Sequence, residues 1–446
     1  MRGMRNPMEQ IGRRMGRKAG ACLALGAVLL AAAGVPTVKA DENSSLTLYM
    51  SEEQEHYIYA KALEEFRQTW PEVELNVITY SMDEMMADPV RMKTELMAGG
   101  GPDLLLFNSW GTDDVYKLLA AGVFAPLDAF MTPENGWEEA SYVMPVVEGG
   151  RFDGTQYVMP LNYDLRLGIA SREGLEEIGF DLGACTNTIS VLKEIAALYD
   201  ADYSDRILAD GAQLMSFPQH LGDSFLNYED GEIGVDQAVL QEACTAYCRM
   251  YEEELDNIFG EFRYYGYGKD ILERRAYVAV PIAMEGYLSA AAAIAAQDTP
   301  VILPFRTSGG KLLAEVRLYA GIRANSENKQ NAWNMLRLFL QEEMQSTLAS
   351  YTSYIPVQRA ALEAAIEKNL SEVMEGGKEM LEIGEPGAEF LEEYKRMLTG
   401  PDGSIFLSDL TAQKFFSAME PFYAGDADYE ECLAEFEEYV KIYLTE

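Results

Sequence analysis

Two kinds of segment alternate along this chain, and that alternation constrains its fold more than any other feature. Short uninterrupted apolar runs, such as Leu104-Leu105-Leu106-Phe107, recur between stretches whose apolar residues follow the helical period. A run with no polar residue on either face must be covered on both, as a parallel strand between helices is. Leu46-Thr47-Leu48-Tyr49 reads as the first strand, and Tyr59, Ala62, Leu63 and Phe66 fall at i, i+3, i+4 and i+7 of a following helix. Residues 73–78 read as the next strand. A helix over 90–98 stops at Gly99-Gly100-Gly101, and Pro102-Asp103 leads into the apolar run. Further strands are predicted at 156–160, 166–170, 277–280, 300–304 and 318–322. Beyond 328 the pattern is almost all helical, with Ala332, Met335, Leu336, Phe339 and Leu340 on one apolar face and Trp333 expected in the core beside them.

The 446 residues suffice for two or three domains or one large two-lobed unit. The 73 acidic against 35 basic side chains give a formal charge of -38, which nucleic acid and anionic membranes would repel. Residues 1–40 differ from the rest. Seven basic residues face the single Glu9, an uncharged run from Ala19 to Val38 follows, and Pro36 and Val38-Lys39-Ala40 close it. This is the pattern of a secretory signal peptide cut after Ala40, with an uncleaved membrane tether as the alternative because the run is just long enough to span. Lipidation at Cys22 fits poorly, since Cys22 opens the apolar run. The next best spanning candidate, 276–305, is interrupted by Pro281, Glu285, Asp298 and Pro300. Cys185, Cys244, Cys248 and Cys432 are expected as free, partly buried thiols. Cys244 and Cys248 lie four apart on a predicted helix, which suits neither a low-strain disulfide nor, without histidines, a zinc site.

Several chemistries find no support. GxSxG, HExxH and Walker A patterns are absent, and two histidines leave little for a triad or a metal site, so no metal and no cofactor is expected. Asp200-Ala201-Asp202 with Ser204 opens like a calcium loop, but Arg206 stands where that loop needs glycine. Met82, Met85, Met86, Met92 and Met97 have helical spacing, so they read as core or apolar cleft lining and not as soft-metal ligands. A carboxylate pair of the glycosidase kind is the enzymatic alternative left open by so many acids.

Five stretches together resemble extracellular solute-binding proteins of family 1, the receptors similar to maltose-binding protein that serve ABC importers. They are the opening helix with Phe66 and Pro71; Leu96-Met97-Ala98-Gly99-Gly100-Gly101-Pro102-Asp103-Leu104 with Leu119-Ala120-Ala121-Gly122-Val123-Phe124-Ala125-Pro126-Leu127; Asp153-Gly154-Thr155-Gln156-Tyr157-Val158-Met159-Pro160-Leu161; the helical block 328–345; and Ile355-Pro356-Val357. The resemblance covers nearly the whole chain after residue 40. It implies an α/β, two-lobed periplasmic-binding-protein-like fold (type II), the lobes joined by a hinge of several crossovers. Lobe 1 is expected over 41–163 plus 304–350 and lobe 2 over 164–303 plus 351–446, with crossings near 162–165, near Pro304 and around 351–356. It further implies no enzymatic activity, a carbohydrate ligand enclosed by lobe closure, and the permease subunits of an importer as partners. A peptide or a polyamine on the same fold is the other ligand class.

A sugar cleft needs aromatic faces for stacking and fixed polar groups for hydroxyls. Trp110, with Asn108 and Ser109, follows the buried run 104–107, where α/β folds bind ligands. Asn162, Tyr163 and Asp164 sit at the first expected crossing and can reach both lobes. Glu285 and Tyr287 open a predicted helix at a position where the family often has an aromatic. Asp223, beside Gly222 and His220, lies in a glycine-containing loop before Asp230-Gly231, Glu53 in the loop after the first strand, and Tyr354 at the third crossing. Tyr264, Tyr265 and Tyr267 form an aromatic cluster that reads equally as cleft rim or packing.

Overall fold

The computed structural model describes residues 45–81, 91–108, 115–200, 217–227, 230–251, 266–377, 382–407 and 409–445. The expected signal segment, Ser109, Trp110, most of the methionine series, all but the first residue of the calcium-like loop, and Tyr264 and Tyr265 lie outside these residues. Its largest sheet is mixed. Strands β1 (Ser45–Ser51), β2 (Glu74–Tyr80) and β3 (Leu104–Asn108) are parallel, with β1 between the other two. On β1 the residues Leu46, Leu48 and Met50 alternate inward and are fully buried, the period expected of a strand covered by helices. Helix α1 (Ala60–Thr69) supplies cover through Ala62, Leu63 and Phe66. Helix α2 (Arg91–Met97) stops at the triple glycine, where Gly99 and Gly101 take the left-handed conformation that only glycine adopts cheaply. Asp103 explains the residue that follows the proline: its carboxylate accepts the Thr47 N–H at 2.9 Å and the Ser326 hydroxyl at 2.7 Å, which ties β1 to the turn at Arg323–Ser326.

Helix α3 (Val115–Ala120) follows β3, and a small hairpin of β4 (Arg151–Phe152) and β5 (Thr155–Gln156) follows later. Its turn is Asp153-Gly154, both with positive φ, as a two-residue hairpin turn requires. Strand β6 (Val158–Leu165) then enters the large sheet, and after Arg166 alone the chain becomes β7 (Leu167–Ser171) of a second sheet. In this second sheet β7 lies between β10 (Val278–Ala279) and β11 (Pro300–Pro304), both antiparallel to it. Each of these strands splits its side chains between two cores, as the strand period of two dictates. Ile169, Ala279 and Ile302 join a core that includes α7 (Ala283–Ile294), while Ala170, Val278, Val301 and Leu303 join another. The second core is built with α4 (Thr188–Asp200), α5 (Gln237–Tyr247), α12 (Asp409–Tyr423) and α13 (Tyr429–Thr445). A short ribbon of β8 (Leu226–Asn227) and β9 (Glu232–Ile233) adjoins it, and α6 (Gly266–Leu272) packs on α7.

The chain returns to the large sheet as β12 (Leu313–Ile322), which pairs antiparallel with β6 on one side and β3 on the other. Helices α8 (Lys329–Phe339) and α9 (Glu342–Thr352) follow, then β13 (Ile355–Pro356), which pairs with β6. Helices α10 (Arg359–Gly377) and α11 (Ala388–Thr399) precede β14 (Gly403–Phe406), which runs parallel to the first half of β12. The four cysteines among the described residues are free, with Cys244 and Cys432 buried. Among the described residues no helix is long and apolar enough to cross a membrane.

Candidate functional site

Where β6 and β12 run together toward Arg166, Asp164 stands opposite Glu315 on the paired strands. Glu315 is 1 % exposed and gathers two guanidinium groups and an imidazole. Arg166 donates to it through Nη2 at 2.8 Å and Nε at 3.0 Å, Arg317 donates to its other oxygen, and His220 Nε2 lies 2.8 Å away. Burial alone would raise its pKa, but Arg166 and Arg317, then His220, hold the carboxyl well below the usual carboxylate range. Burial also acts on His220, where it keeps the imidazole pKa below its ordinary value despite Glu315. Asp164 is different. Burial pushes it up to about 6, although Arg317 Nη2 at 4.0 Å and two backbone N–H groups, Leu165 at 2.9 Å and Ala283 at 3.0 Å, oppose the shift.

These contacts define the junction between the two sheets. Asp164 caps the first N–H of α7, whose opening residue Ala283 has a φ of 58°, and Tyr287 of the same helix donates its hydroxyl to the Leu165 carbonyl at 2.6 Å. Tyr287 is thereby 1 % exposed, with no open ring face. Asn162 and Tyr163 are also buried, the Tyr163 hydroxyl donating to the Leu398 carbonyl. Glu285 is half-buried in the first turn of α7. Asp223 is exposed and pairs with Lys311 at 2.6 Å, and Tyr267 packs in the core.

A wall of tyrosines continues from this floor. The Arg317 guanidinium sits 5.6 Å from the Tyr354 ring centre, and three residues earlier Tyr351 stacks on Tyr57 with centroids 6.0 Å apart. Tyr57 belongs to a single π-helical turn, Gln54–Ile58, placed directly after β1. Reciprocal bonds fix that turn: the Ser51 N–H donates to the Gln54 side chain at 2.8 Å and the Gln54 N–H to the Ser51 hydroxyl at 3.2 Å. Glu53, exposed, lies within electrostatic reach of both Tyr351 and Tyr80, and its charge adds to burial in holding both hydroxyls above their ordinary value. Tyr80, at the end of β2, in turn stacks on Tyr49 at 4.7 Å. Arg317, Tyr354 and Glu53, together with Asn108 at the end of β3, therefore occupy the end of the large sheet at which its parallel strands finish, the usual ligand edge of an α/β sheet.

A separate crevice opens between Tyr116, Ile405 and Phe406 on one side and Gln219, Phe225 and Leu226 on the other. Its volume is about 20 Å³, enough for a water or two and too small for a sugar ring. Nearby, Lys117 of α3 donates to the Tyr443 carbonyl of α13 at 2.5 Å and sits 4.4 Å over the Tyr443 ring.

Of the residues singled out in the sequence, Asp164 and Tyr354 meet at Arg317, and Glu53 lies within electrostatic reach of Tyr351 and Tyr80. Arg166, Glu315, Arg317, Tyr57, Tyr80 and Tyr351 were not anticipated. A signal existed for two of them: Glu315 and Arg317 alternate within the otherwise apolar Leu313-Ala314-Glu315-Val316-Arg317-Leu318, so one face of a buried strand carries charge. Tyr57 and Tyr351 meet only through the fold.

Solved structures share this architecture. The sugar-binding protein MalE of Xanthomonas citri superposes with a TM-score of 0.61 at 15% identity, covering 90% of this chain and 98% of that one. An ABC substrate-binding protein of Listeria monocytogenes solved with cycloalternan gives 0.55 at 13% identity, covering 90% and 99%. The GacH receptor of Streptomyces glaucescens, solved unliganded and with acarbose, gives 0.52 at 14% identity, covering 91% and 99%. The fold is accordingly the two-lobed one of periplasmic binding proteins. A search of curated proteins found no match. Over residues 61–372 the chain matches the model of the bacterial extracellular solute-binding proteins, and it belongs to that family.

Proposed function

We propose that this protein is an extracytoplasmic receptor that captures a sugar or oligosaccharide between its lobes and delivers it to the permease subunits of an ABC importer. The family is one of exported binding proteins. The single observation that carries the carbohydrate reading is the tyrosine wall, in which ring faces at the ligand edge of the sheet alternate with the hydroxyl-binding groups Glu53 and Arg317. Aromatic faces match the apolar faces of pyranoses, and a carboxylate and a guanidinium match their hydroxyls. The solved neighbours that bind cycloalternan and acarbose support the same ligand class. In this reading the lobes comprise 41–163 plus 304–350 and 164–303 plus 351–446. Strands β13 and β14 strap the C-terminal part of the second lobe onto the sheet of the first. Asn108, at the end of β3, then lies at the rim of the cleft.

Thermal unfolding across a panel of mono- and oligosaccharides, peptides and polyamines tests the proposal, because a ligand that binds only the native state raises its melting temperature. Stabilisation by one or more sugars is expected. Stabilisation by polyamines or peptides alone would overturn it, and slow cleavage of a stabilising oligosaccharide would point to a glycosidase instead.

A further inference from the structure

We infer that the Tyr57–Tyr351 pair is a separate outer platform for one sugar ring of an oligosaccharide, lying beyond the floor formed by Asp164, Glu315 and Arg317. The inference rests on the carbohydrate reading and adds that the ligand is longer than the floor alone would hold. Tyr57 is 66% exposed and Tyr351 39%, two of the few large apolar side chains so placed among the described residues. Their rings are nearly parallel, at 12°, and stacked with centroids 6.0 Å apart, so each covers part of one face of the other while much of the pair's apolar surface stays open to solvent. A pair of tyrosines gains more from burial than from such a position, and a ligand face laid across them would supply that burial.

The local architecture holds the pair in place. The π-helical turn carrying Tyr57 is locked by the Ser51 and Gln54 bonds, and single π turns are frequent at functional sites. Tyr351 lies in the last turn of α9. That helix ends at Ser353 in the left-handed conformation, and the Ser353 carbonyl accepts the Met284 N–H at 2.9 Å. The ion pair Lys61–Glu343 ties α1 to α9. The elements that carry both rings pack in the same core as the large sheet, so the platform is complete without any contribution from α12 or α13. Tyr354, three residues on from Tyr351, lies against the Arg317 guanidinium of the floor, and Glu53, whose charge acts on Tyr351, can accept a hydroxyl from a ring lying on the tyrosines.

The test is calorimetric titration of the full exported chain and its variants Tyr57→Ala, Tyr351→Ala and Tyr57→Phe with gluco-, xylo- and manno-oligosaccharides of one to six units. The two alanine variants are expected to lose about 10-fold or more in affinity for the longest member that binds, and little for the shortest. Tyr57→Phe, which keeps the ring, is expected to retain the wild-type affinity for both. Melting temperatures within a degree or two of wild type would show that the folds are intact. Equal losses for short and long ligands, or no loss for either, would overturn the platform while leaving a sugar receptor. Absence of binding by every saccharide would overturn both.

Discussion

Glu315 joins groups drawn from three separate parts of the chain: the guanidinium of Arg166 at the single-residue link between sheets, that of Arg317 on its own strand, and the imidazole of His220 on a segment of the second core. Removing its charge leaves two guanidinium groups buried without their anion, which typically costs about 3–5 kcal/mol. Glu315→Gln is therefore expected to lose stability of that order in denaturant unfolding, and a loss under about 1 kcal/mol would mean that the cluster is far better hydrated than its burial indicates. Asp164 gives a pH-dependent counterpart. Its folded pKa, about 6, lies above the ordinary 3.8, so the folded state holds the proton more tightly than the unfolded chain does. The resulting stabilisation is complete below pH 4 and is lost as the pH rises through 6. His220 has the opposite dependence: its depressed pKa makes the folded state lose stability as the pH falls below 6.5. Because the two windows overlap with opposite sign, the informative quantity is a difference between proteins. Between pH 4 and 6.5, Asp164→Asn should gain about 1–3 kcal/mol relative to wild type, and a pH-independent difference would remove the assignment.

At the scale of elements, α8 shows what the sequence makes legible. Its apolar face was evident from spacing, and Trp333 is 1 % exposed, its ring within 5.9 Å of Phe130 and 6.4 Å of Trp137, its indole N–H facing the Asn135 carbonyl at 3.5 Å. Trp333→Ala is expected to destabilise by roughly 3–5 kcal/mol without a selective loss of ligand affinity, checked by urea unfolding alongside calorimetry. The strand at 300–304 was likewise readable, as were β1 and β3, because uniform apolar runs leave few alternatives. The first half of β12 was not, since Glu315 and Arg317 interrupt its apolar pattern and only their mutual pairing makes them tolerable inside a sheet. Tyr287 shows the other limit. Its sequence position suggested a ligand face, but the hydroxyl found a backbone acceptor at the crossover and drew the ring inside. Tyr57 and Tyr351 carried no local signal at all, because a stacked pair nearly 300 residues apart is a product of packing between α9 and the turn after β1.

At the scale of the molecule, the two sheets are joined by the Arg166 link, by the 305–312 return and by the C-terminal segments, an arrangement suited to hinge closure. Small-angle scattering should show a smaller radius of gyration with a saturating ligand than without, and an unchanged radius would count against a clamp. Lys117 offers a way to bias that equilibrium without touching the tyrosine wall. Its helix packs through Val115, Leu118 and Leu119 in the first core, whereas Tyr443 belongs to a helix anchored by Phe436 and Val440 in the second. The bond from its ammonium to the Tyr443 carbonyl, with the ring beneath the charge, therefore holds the two bodies at their present separation. A hydrogen bond from a charged group is worth about 1.5–3 kcal/mol when well desolvated and less where water competes. A ligand that needs the closed arrangement must supply whatever the tie no longer does, so affinity falls by the same factor as the closed population. Lys117→Ala is accordingly expected to widen the ligand-free envelope in scattering, to weaken ligand binding about 3- to 10-fold, and to leave the melting temperature nearly unchanged. A variant that melts lower but scatters and binds like the wild type would make Lys117 a stabilising contact with no part in closure.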